Sequence, residues 1–500
     1  MGKIMKKRKL WLATAAASIL VTSPLCGKEL PTANEIFNKM GFGINIGNTM
    51  EVPGNPTGWG NKFPSEAYID SVKAAGFSTI RIPCAWDSHA QNSVINQSWM
   101  DSVQVVVDRA MRAGLITILN IHWDGGWLEE NLKDEKKDEV NAKQKAYWTQ
   151  IATHFKNYNE RLLFASANEP ATTDDNYRHE SEILEVYHQT FVDAVRATGG
   201  NNASRTLIIQ GPSTSIDRSV EVYGVDKLPK DVIENRLMFE VHYYDPYTYT
   251  LMNEPADWGA IVQPQYYWGT GDNLATGDDV VHNCGYNAWA NAMGDPCTQS
   301  QMDASLAKMK ANYVDKGVPV IIGEFGANDR IGVLSGENYA KHRRGRLAYY
   351  EAFVNSSKTN QVVPIAWDTG HEGENNMTII RRQSGTDGSV FDLDVLNIMR
   401  KAYGLGDYVN LGLTHDDNFV DNDGDTDAIQ NRHVQNSTGL ANSMNLRREG
   451  FKLLANGNIK LFDINGNMIR KAQGNLNLSE LKPGFYIAKS GMDLLKVHIR

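Results

Sequence analysis

Two glutamates stand at the C-terminal ends of short apolar runs. One run, Leu162-Leu163-Phe164-Ala165-Ser166-Ala167, ends in Asn168-Glu169-Pro170; the other, Val318-Pro319-Val320-Ile321-Ile322-Gly323, ends in Glu324. A buried strand does not ordinarily finish by presenting an amide and a carboxylate at one place and then stopping at a proline. Two carboxyl groups brought together are the minimum equipment for hydrolysing a glycosidic bond, one giving a proton and the other attacking or activating water. Other apolar runs end in Arg81, in His122, in His242 with Tyr244, and in Trp367. Taken alone, a strand-end Arg, His or Trp is most often structural; so many convergent polar and aromatic ends are not.

The elements that must position these groups follow from the pattern between them. Ser65 to Ala75 reads as a capped amphipathic helix that stops at Gly76 before the strand Ser78–Pro83, and Ser98 to Ala113 repeats the scheme, with Gly114 before Ile116–Ile121. Helix, Ala-Gly, then strand is the signature of βα units and a parallel sheet. The further strands expected are Gly41–Ile46, Leu162–Ala167, Thr206–Gln210, Leu237–Val241, Val318–Gly323 and Val363–Trp367, eight in all. The expected fold is therefore an α/β chain with a (β/α)8 barrel over residues 35–405, whose site lies at the C-terminal ends of its strands. Asn253-Glu254-Pro255 repeats the Asn-Glu-Pro string but follows a Tyr-rich stretch rather than an apolar run. It is expected to be part of a long loop after the sixth strand.

Outside the barrel the character changes. Lys3, Lys6, Lys7, Arg8 and Lys9 precede an apolar stretch from Leu10 to Thr22, which reads as a secretory signal over residues 1–27 and an extracellular or cell-surface destination. Residues 406–445 are rich in Asp, Asn and Gly and read as an acidic linker, with Asp421 to Asp427 a solvated stretch rather than a calcium loop. Residues 446–500 hold ten Lys and Arg against four Asp and Glu, a formal +6 in a chain of net charge -9. Their short alternating runs, separated by Asn465-Gly466 and Pro483-Gly484, predict a small β-rich module. The acidic whole argues against nucleic acid as a partner. Cys284 and Cys297 are candidates for a disulfide, Cys84 reads as a buried thiol, and no Cys/His spacing resembles a metal site, so neither metal nor cofactor is expected.

Taken together, these motifs resemble glycoside hydrolase family 5, the cellulase-type (β/α)8 hydrolases, over roughly residues 35 to 405. Arg81, His122, Asn168-Glu169-Pro170, His242-x-Tyr244, Glu324 and Trp367 match the family's residues after strands two, three, four, six, seven and eight. Gly43-Ile44-Asn45-Ile46-Gly47-Asn48-Thr49 with Trp59-Gly60-Asn61 is similar to the branch holding many bacterial endoglucanases. Trp123 departs from the pattern, since many members carry a second His there. The resemblance implies a retaining mechanism with carboxyl groups about 5 Å apart. Glu324 would be the nucleophile and Glu169 the acid/base. Arg81 and Tyr244 would keep Glu324 ionised, and Asn168 would hold the sugar 2-OH. His122 and His242 would position sugar and carboxylates, over a stacking floor at Trp367. Trp59, Trp123, Trp127 and Trp268 are each open to either a further sugar contact or core packing.

The function implied is a secreted endo-β-1,4-glucanase acting on cellulose and related β-glucans. Xyloglucanase, mannanase and xylanase stay open beside it, as does a non-catalytic polysaccharide-binding surface protein. Lys460-Leu461-Phe462-Asp463-Ile464-Asn465-Gly466 with Leu481-Lys482-Pro483-Gly484-Phe485-Tyr486-Ile487 resembles C-terminal sorting domains of type IX secretion. That implies outer-membrane secretion or surface-attachment machinery as a partner; a small accessory β-sandwich and a carbohydrate-binding module are the alternatives.

Overall fold

Each of the eight apolar runs forms a strand: β1 (Gly43–Asn45), β2 (Thr79–Ile82), β3 (Ile116–Asn120), β4 (Leu162–Ala165), β5 (Leu207–Gln210), β6 (Leu237–Tyr243), β7 (Val320–Phe325) and β8 (Val363–Ala366). Consecutive strands pair in parallel and β8 pairs with β1, so the sheet closes into the expected (β/α)8 barrel. The computed structural model describes residues 30–257, 261–269, 297–409, 447–449, 452–463, 468–479, 481–482, 484–490 and 493–499. The signal segment, the acidic stretch Asp421–Asp427 and Cys284 lie outside these residues. Cys297 is buried and disulfide-bonded, and Cys84 is a buried free thiol.

The described α-helices are α1 (Ala33–Phe37), α2 (Glu66–Ala74), α3 (Gln97–Arg112), α4 (Lys137–His154), α5 (Tyr177–Ala197), α6 (Ile216–Val222), α7 (Tyr247–Thr250), α8 (Gln299–Asn312), α9 (Gly336–Thr359) and α10 (Leu393–Ala402). Local chemistry starts and stops them. Ser65 caps α2 by accepting the Tyr68 N–H at 3.0 Å, which satisfies one of the orphan donors of the first turn. Gly76 and Gly114, at φ +97° and +74°, take the left-handed turn that returns α2 and α3 to the sheet, where an L side chain would be strained.

Strand alternation sorts the core into two parts. Leu162, Phe164, Leu207, Ile209, Phe239 and Val241 face outward into the helix layer. Ile116, Ile118, Leu163, Ala165, Ile208, Met238, Ile321 and Ile365 face the barrel axis, where Ala33, Ile36 and Met40 close the N-terminal end. Burying a side chain such as Ile36 contributes about 2 kcal/mol. One layer higher the axis-facing residues become polar: Asn45, Arg81, Asn120, Gln210 and Glu240, all fully buried. The barrel is thus dry at its base and ionic at its C-terminal rim.

The chain divides into two compact units, with the break after Asn422. In the second, Arg447–Glu449, Lys452–Asp463, Met468–Asn477, Gly484–Ser490 and Asp493–Ile499 form a five-stranded antiparallel sheet. Its core is small: Leu453, Ile459, Leu461, Leu476, Leu478 and Ala488.

Candidate active site

Glu169 and Glu324 come together at the C-terminal rim. One oxygen from each carboxyl group and a ring nitrogen of His242 lie within 4.8 Å of one another. A β-bulge aims Glu324. In the β6–β7 ladder Ile322 opposes Val241, but Glu324 opposes His242, so Gly323 is the extra residue. Without that shift Glu324 would share the outward phase of Ile322 and Val320; with it, the carboxyl group faces the axis beside His242. Gly323 must be glycine, because a Cβ there would lie 1.9 Å from the Glu240 carboxylate.

Arg81 organises the floor. Its Nη1 donates to Glu324 Oε1 at 2.8 Å and to Asn45 Oδ1 at 3.0 Å, and its Nη2 donates to Asn168 Oδ1 at 2.9 Å. Its Nε lies 3.1 Å from Glu240 Oε1. The fork therefore fixes the nucleophile candidate and the amide beside Glu169 in one plane. The Tyr244 hydroxyl donates to the other Glu324 oxygen at 3.1 Å. Burial and the two glutamates push that phenol well above its ordinary range, so it stays protonated and donating.

His242 bridges carboxylates at both nitrogens, Nδ1 to Glu169 at 2.7 Å and Nε2 to Glu240 at 3.2 Å. Burial lowers its basicity, but Glu324, Glu169 and Glu240 outweigh that and raise it to about 9. The carboxylates thus favour the imidazolium form of His242, with an N–H directed at Glu169 and another at Glu240. His122 goes the other way: burial and the positive Arg81 and His242 hold it well below its usual value, neutral. Its ring stacks on Trp367 at 6.0 Å between centroids and 20° between planes. Gly47 lets the indole lie against the backbone, since a Cβ there would come within 2.7 Å of the Trp367 ring.

Arg81 and Tyr244 both donate to Glu324, and the two carboxyl groups are shifted in opposite directions. Burial pushes Glu324 up, and the charges of His242 and Arg81 only partly offset it. Against the desolvation of the cleft, the hydrogen bond from His242 holds Glu169 below the ordinary carboxyl value. Exposure separates them as well: the Glu169 side chain is 46% exposed and that of Glu324 7%. Beside Glu169 opens a cavity of about 520 Å³ lined by Ser213, Thr214, His242, Tyr244, Asp245 and Tyr247.

The eight strand-end residues expected from the sequence meet here. Of the tryptophans, Trp59 and Trp123 are exposed, Trp123 donating to Glu130 Oε1 at 3.1 Å, whereas Trp127 and Trp268 are buried. Trp127 packs edge-on against Tyr147 and Trp268 against Tyr349. Sequence reasoning passed over Asn45, Gln210 and Glu240, one layer below the rim. Gln210 donates to Glu240 at 2.6 Å and accepts the Ala167 N–H at 2.9 Å. The available signal was a single polar residue in phase with a strand-end functional group, as Glu240 is with His242.

The second Asn-Glu-Pro string sits in the loop after β6. Asn253 Oδ1 accepts from Asn328 Nδ2 at 2.8 Å and from Arg330 Nη1 at 2.9 Å. Arg330, fully buried, also donates to Asn375 and to the carbonyls of Tyr249 and Met252. One guanidinium thus binds the loops that follow β6, β7 and β8.

A sequence model described as cellulase (glycosyl hydrolase family 5) matches residues 44–373. A xyloglucan-specific endo-β-1,4-glucanase of Bacteroides ovatus is 35% identical over 360 residues, 68% of this chain and 65% of that protein. Endoglucanase A of Paenibacillus barcinonensis is 34% identical over 402 residues, 75% of this chain and 92% of its own length. Among solved structures, a xyloglucan-specific β-1,4-glucanase from a ruminal metagenomic library, in complex with XXLG, superposes with a TM-score of 0.64. It is 34% identical, over 77% of this chain and the whole of that one.

Proposed function

Because the chain belongs to the cellulase family, glycosyl hydrolase family 5, we propose that it is a secreted endo-β-1,4-glucanase that cleaves internal bonds of cellulose and related β-glucans with retention of configuration. The observation that carries this reading is the carboxyl pair within 4.8 Å, too close to admit a water for direct displacement. Glu324 attacks the anomeric carbon, the C–O bond to the leaving sugar breaks, and Glu169 gives that oxygen its proton. Glu169 then takes a proton from water, whose oxygen attacks the same carbon and releases Glu324. Asn168, held by Arg81, accepts or donates at the sugar 2-OH, and Trp367 supports the ring face. Trp59 and Trp123, both exposed, are further sugar contacts.

The first step needs a protonated Glu169 and an ionised Glu324, the reverse of the direction in which the empty site leans. Substrate supplies the correction. Sugar filling the cavity covers the half-exposed Glu169, removes its water and raises it. The proton then belongs on Glu169, while Arg81 and Tyr244 keep their bonds to Glu324.

Similarity to two xyloglucan-specific enzymes favours one second reading, a xyloglucanase. The test is a panel of carboxymethylcellulose, mixed-linkage β-glucan, xyloglucan, xylan and mannan, with the first product's anomer followed by NMR. We expect release from the first two and an initial β-anomer. Exclusive activity on xyloglucan selects the second reading, and an initial α-anomer or no release from any β-glycan sinks the mechanism.

For the basic C-terminal unit, a compact unit of its own, we propose a sorting or surface-attachment role, supported by the resemblance of Lys460 to Gly466 and Leu481 to Ile487 to such domains. Deleting residues 446–500 should trap the enzyme inside cells that otherwise export it. Unchanged secretion and surface retention would end that reading.

A further inference from the structure

Beneath the carboxyl pair lies a third glutamate that the cycle above leaves unused. Glu240 faces the barrel axis from the middle of β6, one layer below the rim, with its side chain fully buried. Three neighbours converge on it. Its Oε1 lies 3.2 Å from His242 Nε2 and 3.1 Å from Arg81 Nε, and its Oε2 accepts from Gln210 Nε2 at 2.6 Å. Gln210 accepts the Ala167 N–H in turn, so the cluster reaches the strand end that carries Glu169. Strand β7 makes room for it: a Cβ at Gly323, the residue before Glu324, would lie 1.9 Å from Glu240 Oε1. A buried carboxylate is an expensive way to fill a barrel core, and this one also dictates the residue beside the nucleophile.

What Glu240 supplies follows from the hydrogens that His242 must carry. A neutral imidazole has one N–H and one lone pair. Both ring nitrogens face carboxylate oxygens, Nδ1 toward Glu169 at 2.7 Å and Nε2 toward Glu240, and only a doubly protonated ring donates to both. The other ionisable groups around the ring are Glu324 from β7, 3.7 Å from Nδ1, Arg81 from β2, which shares Glu240 Oε1 with it, and the neutral His122 after β3. Of the three anions, two change during the cycle. Glu324 loses its charge when it joins the sugar, and Glu169 alternates between acid and carboxylate. Glu240 keeps its charge throughout: burial opposes that charge, but Arg81, His242 and Gln210 outweigh burial and hold the group below the ordinary carboxyl value.

We propose that Glu240 is a positioning residue for the acid/base: its constant negative charge keeps His242 doubly protonated, so that Glu169 meets an N–H at Nδ1 and not a lone pair. The inference rests on the reading of Glu169 as the acid/base. When the leaving oxygen takes the proton from Glu169, the new carboxylate finds a charged donor already in place, and His242 keeps both of its own protons. A neutral ring with its lone pair on Nδ1 would instead accept from the protonated Glu169 and hold that proton back.

The experiment compares the full chain with Glu240→Gln, which keeps the shape and removes the charge. Nitrogen-15 spectra of histidine-labelled protein are followed against pH, with His242 assigned by its loss in His242→Asn. In the unmutated chain both His242 nitrogens should carry protons at neutral pH, and the pH at which one proton leaves should be lower in Glu240→Gln by about one unit or more. At a pH between those two midpoints, kcat/KM is measured on carboxymethylcellulose and on 2,4-dinitrophenyl β-cellobioside. The dinitrophenolate leaves without a proton, so its kcat/KM does not need the acid. The variant should lose about 10–100-fold on the polysaccharide, the scale of one hydrogen bond to a charged group, and much less on the activated glycoside. Its new amide would face the Gln210 donor. A second variant, Glu240→Gln with Gln210→Glu, restores that bond and the one to Ala167 while moving the charge one strand away from His242; it should show the same two changes. A folded variant that shows one change without the other, or neither, overturns the proposal. So do equal losses on the two substrates, a singly protonated His242 in the unmutated chain at neutral pH, and failure of both variants to fold. If Glu169→Ala loses equally on both substrates, the acid/base assignment itself fails and takes this inference with it. A selective loss in Glu169→Ala with none in the Glu240 variants leaves that assignment standing and removes only this inference.

Discussion

Glu324→Ala should leave a folded barrel that releases almost no sugar, with kcat/KM on carboxymethylcellulose reduced by about 10⁴-fold or more, the scale on which removal of a catalytic nucleophile is felt. Folding should survive because Arg81 keeps its other contacts, to Asn45, Asn168 and Glu240. The loss therefore belongs to the chemical step, and corresponds to about 5 kcal/mol of barrier. Azide added to the variant with an activated β-cellobioside should enter the vacated space and give the α-glycosyl azide, since it attacks from the face Glu324 occupied. The measurements are reducing-sugar release, a melting curve and product NMR. Activity within tenfold of the unmutated enzyme would mean that the nucleophile is another residue.

The second large effect concerns Glu169. Glu169→Ala should lower kcat/KM on the polysaccharide by about 10²–10⁴-fold, the contribution of a positioned general acid. The loss on 2,4-dinitrophenyl β-cellobioside should be much smaller, because that leaving group departs unprotonated. The glycosyl-enzyme then waits for a nucleophile that needs no base, so azide should restore turnover and yield the β-glycosyl azide. Equal losses on both substrates would remove Glu169 from the acid role. Its bond to His242 is not needed to hold the barrel, and the variant should melt close to the unmutated chain.

Much of this site was legible because strand ends announce themselves. An apolar run that stops at Asn-Glu-Pro or Gly-Glu breaks its own pattern at the point where a barrel strand reaches its C-terminal face. The layer beneath was not legible. Asn45, Gln210 and Glu240 sit inside their strands, and their roles depend on which phase of each strand faces the axis. The bulge at Gly323 changes that phase within a single strand; the glycine inside an apolar run hints at it, but not at which way the next carboxyl group turns. The four loop tryptophans divide for the same reason. Trp127 and Trp268 found partners in Tyr147 and Tyr349, whereas Trp59 and Trp123 stayed exposed. Those outcomes depend on neighbours distant in sequence. The protonation lean of the carboxyl pair was hidden too, because it depends on the depth of Glu324 and on the two-sided grip of Glu240 and Glu169 on His242.

The Arg330 guanidinium has a consequence for protein engineering. Loops at the rim of a barrel are commonly treated as interchangeable parts, each free to vary on a fixed scaffold. Here the loops after β6, β7 and β8 share one buried cation through Asn253, Arg330 itself and Asn375. Transplanting the loop after β6 or after β8 from a relative would take acceptors away from that buried cation, and transplanting the loop after β7 would remove the cation itself. The heritable unit on this side of the cleft is a three-loop cassette, and a change of glycan preference made by grafting has to move the cassette whole.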